Sequence, residues 1–438
     1  MTGIEIGLWS LAAILFLIYI GMHVAIALAS VSFFGIWILR DNPEQAARIL
    51  SLATRESISS YLFGVVPLFV LMGLVVSRAN IGRDTFDVAT RLLGRLRGGL
   101  GMSTVGANAI FASITGISIA SAAVFTKIAV PEMMRAGHTA KFSTGVVVGS
   151  SVLGMLLPPS LLMILYGILA EQSVGALFIA GIGPGILVTV IFCGGIWLLA
   201  RFRPGFTGTA TRPDSYATTG AAALREIAGK LAPIVVLVGL VLGGLYGGIF
   251  TPTEAGAIGA AGAIVIAFVK RRLTPRVLWQ VTIETGHITA SICFLIIAAT
   301  MYSRMLALTG MPAFLTEWII GLDAGIYGFL LFYVLVLVVL GTILDSSSIL
   351  LITVPLAVPI ANSLGIDLIW LGMITVLAVE IGLLTPPMGL SVFVVKGALD
   401  DQSISLRDVF AGALPFAAMM LFALLLIIVF PGISLGLL

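Results

Sequence analysis

Of the 438 residues, 59% are hydrophobic and 10% are charged, and the formal net charge is +3. A soluble domain carries about 25% charged residues, so a surface built from this chain cannot be wetted all round. A soluble enzyme is excluded, and lipid is the solvent for much of the molecule. The net charge decides little, and no nucleic-acid partner is expected.

Spanning a bilayer takes about 20 apolar residues in a helix. The first residues have no basic leader or small-residue cleavage site and read as a retained crossing at 4–20. A second crossing follows at 22–39, then an amphipathic stretch, 41–60, suited to lie at the interface as an arm helix. After a crossing at 62–77 comes an apolar run, about 101–135, long enough for two helices. Its middle is the polar break Ser118-Ile119-Ala120-Ser121. Such a break survives at membrane depth only inside protein or beside water, which predicts a re-entrant hairpin. The crossing at 143–169 is interrupted by Gly154-Met155-Leu156-Leu157-Pro158-Pro159-Ser160 and is predicted to be a broken helix. A crossing at 174–200 ends the first half. A polar linker, 201–230, carries Pro204, Gly205 and Pro213.

The second half repeats the pattern. Crossings are predicted at 231–250, 254–269, 285–306 and 409–436, with an arm helix at 271–284. A second hairpin is predicted at about 327–363, broken at Asp345-Ser346-Ser347-Ser348. A second broken helix, 367–395, contains Gly382-Leu383-Leu384-Thr385-Pro386-Pro387-Met388-Gly389. One offset, 228 residues, maps Pro131 on Pro359, Gly137 on Gly365, Gly154 on Gly382 and the two Pro-Pro pairs on each other. It lays 1–200 over 229–428. The expected fold is an all-α polytopic membrane protein of two repeats, each with five crossings and one hairpin. An odd number of crossings makes the repeat inverted, a known signature of secondary transporters.

Positive charge orients it. With the N-terminus outside, 19 of the 23 Lys+Arg fall on inside segments, and only Arg40, Arg48, Arg55 and Arg304 fall outside. That is the bias of the positive-inside rule. It predicts both termini in the periplasm.

Two adjacent prolines remove two backbone donors and strand the carbonyls one turn earlier. Stranded carbonyls suit a sodium ion, and half-helix N-termini suit an anion. One sodium site is therefore expected from Thr115, Ser118, Gly154, Leu157 and Pro159, and another from Asp345, Ser346, Gly382, Thr385 and Pro387. A plain proline kink is the alternative. Ser118, Ser121, Ser160, Asp345, Ser346 and Ser347, with Ser348, would line a substrate cavity between the tips. Asp345 would bind a cation, hold a proton, position substrate or simply cap the helix that follows; a charge at the bilayer centre costs roughly 3 kcal/mol. Glu380 is either buried and paired or turned to the cavity. In Gly248-Ile249-Phe250-Thr251-Pro252-Thr253-Glu254, Thr253 is a candidate N-cap. Cys193 and Cys293 read as small core residues, and His23, His138 and His287 have no metal-ligand spacing. There is no G-x-x-x-x-G-K-[ST] loop, so no ATP is expected, and no catalytic acid pair, G-x-S-x-G or H-E-x-x-H.

The strings from Thr115 to His138, Leu153 to Ser160, Gly248 to Gly256 and Ile381 to Leu390 resemble the large membrane subunit of tripartite ATP-independent periplasmic (TRAP) transporters, DctM or SiaM type. The resemblance covers essentially the whole chain. It implies sodium symport with two or more coupling ions, a carboxylate substrate such as a C4-dicarboxylate or sugar acid, and an elevator mechanism in the bacterial inner membrane. It also implies two partners: a small four-helix membrane subunit of DctQ or SiaQ type, expected as a separate polypeptide, and a periplasmic binding protein of DctP or SiaP type. The first hairpin departs from the family's frequent paired serines, since Ser118 and Ser121 are separated by Ile119 and Ala120. A stand-alone sodium–carboxylate symporter is the alternative, and an intramembrane enzyme or passive channel is a third reading.

Overall fold

A computed structural model describes residues 2–208, 221–321, 325–401 and 403–438. The middle of the linker expected at 201–230 lies outside the described residues. The first half contains α1 (Gly3–Tyr19), α2 (Val24–Arg40), α3 (Pro43–Ser59), α4 (Val65–Arg78), α5 (Ile81–Leu93), α6 (Gly99–Thr115), α7 (Ser118–Arg135), α8 (Ala140–Ser151), α9 (Leu153–Leu156), α10 (Leu161–Leu169), α11 (Val174–Phe202) and α12 (Pro204–Thr207). The second contains α13 (Ala221–Tyr246), α14 (Pro252–Val269), α15 (Pro275–Thr309), α16 (Met311–Gly321), α17 (Gly325–Gly341), α18 (Ser346–Ser363), α19 (Leu368–Gly382), α20 (Leu390–Ala398), α21 (Leu406–Val429) and α22 (Gly432–Leu435). Among the described residues there is no strand, only a bridge between His138 and Gly208. His138 Nδ1 also bonds Thr207 O at 2.7 Å, and Thr139 Oγ1 donates to Phe206 O at 2.5 Å. The start of the linker is thus pinned to the turn between α7 and α8.

Among the described residues six helices are long and apolar enough to cross a membrane, and two bent pairs raise this to as many as eight. The pairs are α4 with α5, bent by 65°, and α8–α9 with α10, bent by 44°. The helices α1, α2 and α19 are apolar but shorter. The helices start where the sequence supplies caps. Thr2 with Glu5, Thr251 with Glu254 and Ser405 with Asp408 form capping boxes.

Several expectations need correction. The chain turns at Gly116–Ile117 and at Thr342–Asp345, slightly earlier than the polar strings suggested. Ser118, Ser121 and Ser346 to Ser348 instead form the first turns of α7 and α18. Gly116, at φ +63°, ends α6 in the left-handed conformation that glycine tolerates, and Asp345 caps α18. The second arm is no separate element. It is continuous with the next crossing in α15, a 35-residue helix. In the first half Gly64 and Pro67 follow the arm closely; α15 has no proline beyond its first position. At 1.5 Å per residue, α15 spans roughly 50 Å against a hydrocarbon core of about 30 Å, so part of it must lie outside the core. The helices α5 and α16, equivalent at the 228 offset, were not anticipated. Thr251, not Thr253, caps α14, because Pro252 occupies the first helical position. Cys193 and Cys293 are half-exposed on their helices.

Two sets of helices pack among themselves. α1 to α4 gather with α13, α14 and α15. The hairpins pack with the broken helices and with α11 and α21, and they cross over between halves: α7 lies on α20, and α18 lies on α10. Gly145 and Gly412 let α8 and α21 meet backbone to backbone, since a Cβ on Gly145 would lie 2.1 Å from Gly412 O. The amphipathic α5 bridges the sets. It buries Ile81, Phe86, Val88 and Ala89. Its Asp84 is held by Lys270 Nζ at 2.5 Å and Arg272 Nη1 at 2.9 Å.

Candidate transport site

Both hairpin tips meet the proline breaks. In the first half Leu157-Pro158-Pro159-Ser160 separates α9 from α10. Pro158 and Pro159 cannot donate to the carbonyls of Gly154 and Met155. Ser160 Oγ donates to Met155 O at 2.5 Å instead, and the same hydroxyl accepts from Met163 N at 3.3 Å to cap α10. Leu161 N donates to Gly116 O at 3.1 Å, tying break to tip. The contact is too close for a side chain. A Cβ on Gly116 would lie 2.6 Å from Pro159 O, and one on Gly154 would lie 2.9 Å from Ile117 C and 3.0 Å from Ser118 Cα. Thr115, Gly116, Ile117, Pro159 and Leu161 line a narrow gap with Phe69 and Val70 of α4. Those two lie within the crossing expected at 62–77.

The structure therefore brings Thr115, Ser118, Gly154 and Pro159 together. Thr115 Oγ1 donates to Phe111 O at 3.1 Å, leaving its lone pairs. Leu157 sends its side chain away, against Gly185, so only its backbone is left to serve. Ser118 and Ser121 are buried, and their hydroxyls have no hydrogen-bond partner.

In the second half α19 ends at Gly382 and α20 begins at Leu390. A Cβ on Gly382 would lie 2.5 Å from Gly341 Cα, and one on Gly341 would lie 2.7 Å from Gly382 Cα. Met388 N donates to Thr342 O at 3.1 Å. Thr385 donates to Gly382 O from its amide at 3.0 Å and its hydroxyl at 2.9 Å. The Gly382 carbonyl is thus engaged by Thr385 here. Asp345 caps α18: its carboxylate accepts from Ser348 N at 3.2 Å and from the Ser348 hydroxyl. Ser346 Oγ donates to Glu380 Oε1 at 3.2 Å. Ser347 is half-buried. Pro387 is exposed. All of these donors are oxygens, which suits a hard cation. Among the described residues no three His, Cys, Asp or Glu side chains come together.

Helices that cross a membrane, broken at its depth around oxygen donors and a buried carboxyl, define a polytopic transporter. Comparison with known proteins gives the family. Residues 11–433 match the model of the tripartite ATP-independent periplasmic transporter, DctM component. The chain belongs to that family. It is 34% identical over 395 residues to the C4-dicarboxylate TRAP transporter large permease protein DctM of Pseudomonas aeruginosa, covering 90% of both chains. It is 30% identical to the sialic acid TRAP transporter large permease protein SiaM of Vibrio cholerae, covering 86% of each. It is 29% identical to the ectoine TRAP transporter large permease protein TeaC of Halomonas elongata, covering 97% of each. The fold is shared with the YdaH transporter of Alcanivorax borkumensis, at TM-score 0.58 and 17% identity over 90% of each chain. It is also shared with MtrF of Neisseria gonorrhoeae, at TM-score 0.59 and 12% identity over 88% of this chain and 84% of that one.

Proposed function

We propose that this large permease subunit imports a small organic anion, a C4-dicarboxylate or a sugar acid, by sodium symport. The observation that carries this reading is the meeting of each hairpin tip with a proline break, surrounded by oxygen donors. Sodium binds at Thr115, Ser118, Gly154, Leu157 and Pro159 in one half and at Asp345, Ser346, Gly382, Thr385 and Pro387 in the other. The serine hydroxyls of the tips, Ser160 and Asp345 face the substrate. The carboxylate class is supported by the P. aeruginosa relative named for C4-dicarboxylates.

The block of hairpins, broken helices, α11 and α21 slides as an elevator against α1 to α4 and α13 to α15. A periplasmic binding protein delivers the substrate, and a small four-helix membrane subunit braces the fixed set. Both termini face the periplasm. The test is uptake of labelled succinate into proteoliposomes holding the chain with its small subunit. Uptake is expected only with an inward sodium gradient and the loaded binding protein. Equal uptake in potassium would sink the sodium claim, and uptake by the chain alone would favour a stand-alone symporter.

A further inference from the structure

Away from the breaks, the second hairpin leaves a cavity of about 140 Å³ between α16, α17 and α18. Leu315, Ile319, Phe329, Phe332, Val336 and Leu356 form much of its wall, which is almost entirely carbon. Two lining residues carry hydroxyls, and both are engaged. Thr353 Oγ1 donates to Ile349 O at 2.8 Å, and Tyr333 OH accepts from Thr375 Oγ1 at 3.2 Å. A trapped water needs about two to four polar partners, whereas an apolar cavity of about 150 Å³ stays dry and takes up benzene or xenon. The chemistry of the wall therefore selects an apolar occupant.

The repeat shows why the gap exists in one half only. At the 228 offset Leu315, Ile319 and Thr353 correspond to Asp87, Arg91 and Phe125. The helix α5, counterpart of α16, packs along the first hairpin arm α6. Its Asp87 and Arg91 pair with Lys230 and Glu226 of α13. The Phe125 ring fills the interior, 5.6 Å from the Phe111 ring. In the second half the charged pair is replaced by Leu315 and Ile319, and the ring by a threonine, so the same arrangement of helices stays unfilled.

The mouth decides what reaches the gap. Of the lining residues only Trp318 and Phe332 are exposed, by 49% and 50%. Leu331, Leu335 and Val339 extend the exposed apolar face of α17, a helix without a charged residue. In a membrane protein such a face meets lipid, and tryptophan favours the edge of the hydrocarbon. We infer that the cavity is a binding site for the end of a phospholipid acyl chain, inserted from the bilayer between α16 and the second hairpin. The helix α16 also packs on α1 and α15, so the inserted chain touches both sets of helices. The inference is independent of the sodium and elevator readings.

The test is photocrosslinking. The full-length chain with its small subunit is placed in nanodiscs containing phosphatidylcholine that carries a diazirine at the end of one acyl chain. After irradiation, adducts are mapped by mass spectrometry. They are expected on the cavity residues Leu315, Val336 or Leu356 as well as on the outward Leu331 and Leu335. Thr353→Phe puts in the cavity the ring that the first half has at this position. It should cut the cavity adducts at least about tenfold, because a close-packed interior leaves a chain no room. Adducts on Leu331 and Leu335 should not change. If Thr353→Phe does not fold, Ala357→Leu fills the same cavity and should have the same effect. Adducts confined to Leu331 and Leu335, or cavity adducts that the filling substitution leaves undiminished, would overturn the inference.

Discussion

The two proline breaks share a register but not an environment. Pro158, Pro159 and Ser160 are buried, whereas Pro386, Pro387 and Met388, at the same repeat positions, are exposed. The backbone device is the same in both: a helix ends beside a glycine, and a hairpin tip packs against its backbone. Burial is decided by neighbours. Break one is closed in by α4 and the first tip; break two packs against Thr342, the Gly341 backbone and Phe410 of α21, yet its prolines stay exposed. The capping differs as well. Ser160 satisfies Met155 O, but its counterpart Met388 has no hydroxyl to do the same. Sequence repetition thus sets where the chain breaks, and the tertiary surroundings set which break is accessible.

The comparison can be broken most decisively by thiol labelling. With Cys193 and Cys293 replaced by Ser, Met388→Cys should react with a membrane-impermeant maleimide while Ser160→Cys resists it. Equal labelling would remove the asymmetry. Next come the backbone contacts. Gly382→Ala places a Cβ 2.5 Å from Gly341 Cα, and Gly154→Ala places one 2.9 Å from Ile117 C. Neither backbone can yield cheaply, so melting should show losses of about 2–3 kcal/mol, larger at Gly382. The proline substitutions sharpen the contrast. Pro159→Ala should cost about 1–2 kcal/mol of stability, because it removes buried atoms, and Pro387→Ala about 0.5 kcal/mol or less at an exposed position. Both should weaken the sodium dependence of uptake, and loss of folding with sodium affinity unchanged would count against the sites. The smallest effects concern the caps. Ser160→Ala loses the bond to Met155 O and the cap on Met163 N, about 1 kcal/mol. Asp345→Asn keeps a capping oxygen and should change melting by only a few tenths of a kcal/mol.

Much of this was legible in the sequence, for identifiable reasons. Apolar length marked the spans, and the Pro-Pro pairs marked both breaks because proline lacks the donor a helix needs. Breaks placed at the polar strings came slightly late, since Gly116 and Asp345 end and start helices more strongly than the serines interrupt them. The helices α5 and α16 were missed because neither is long and apolar enough to be a span by itself. α5 is amphipathic and held by Asp84 against Lys270 and Arg272, residues nearly two hundred positions away. Hydropathy carries no sign of such a contact. The continuity of α15 depended on the absence of a breaker, a weaker signal than its presence. Glu380 was visible as a lone acid in an apolar run, but only the fold shows that it is fully buried and bonded by Ser346 of the second hairpin.

The most direct measurement is an electron cryomicroscopy map of the chain in lipid nanodiscs, recorded once in sodium and once in choline. The account predicts an ion density at each break in sodium only, one beside the carbonyls of Gly154 and Pro159 and one beside Gly382 and Thr385. Well-resolved breaks with no such density at saturating sodium would contradict it.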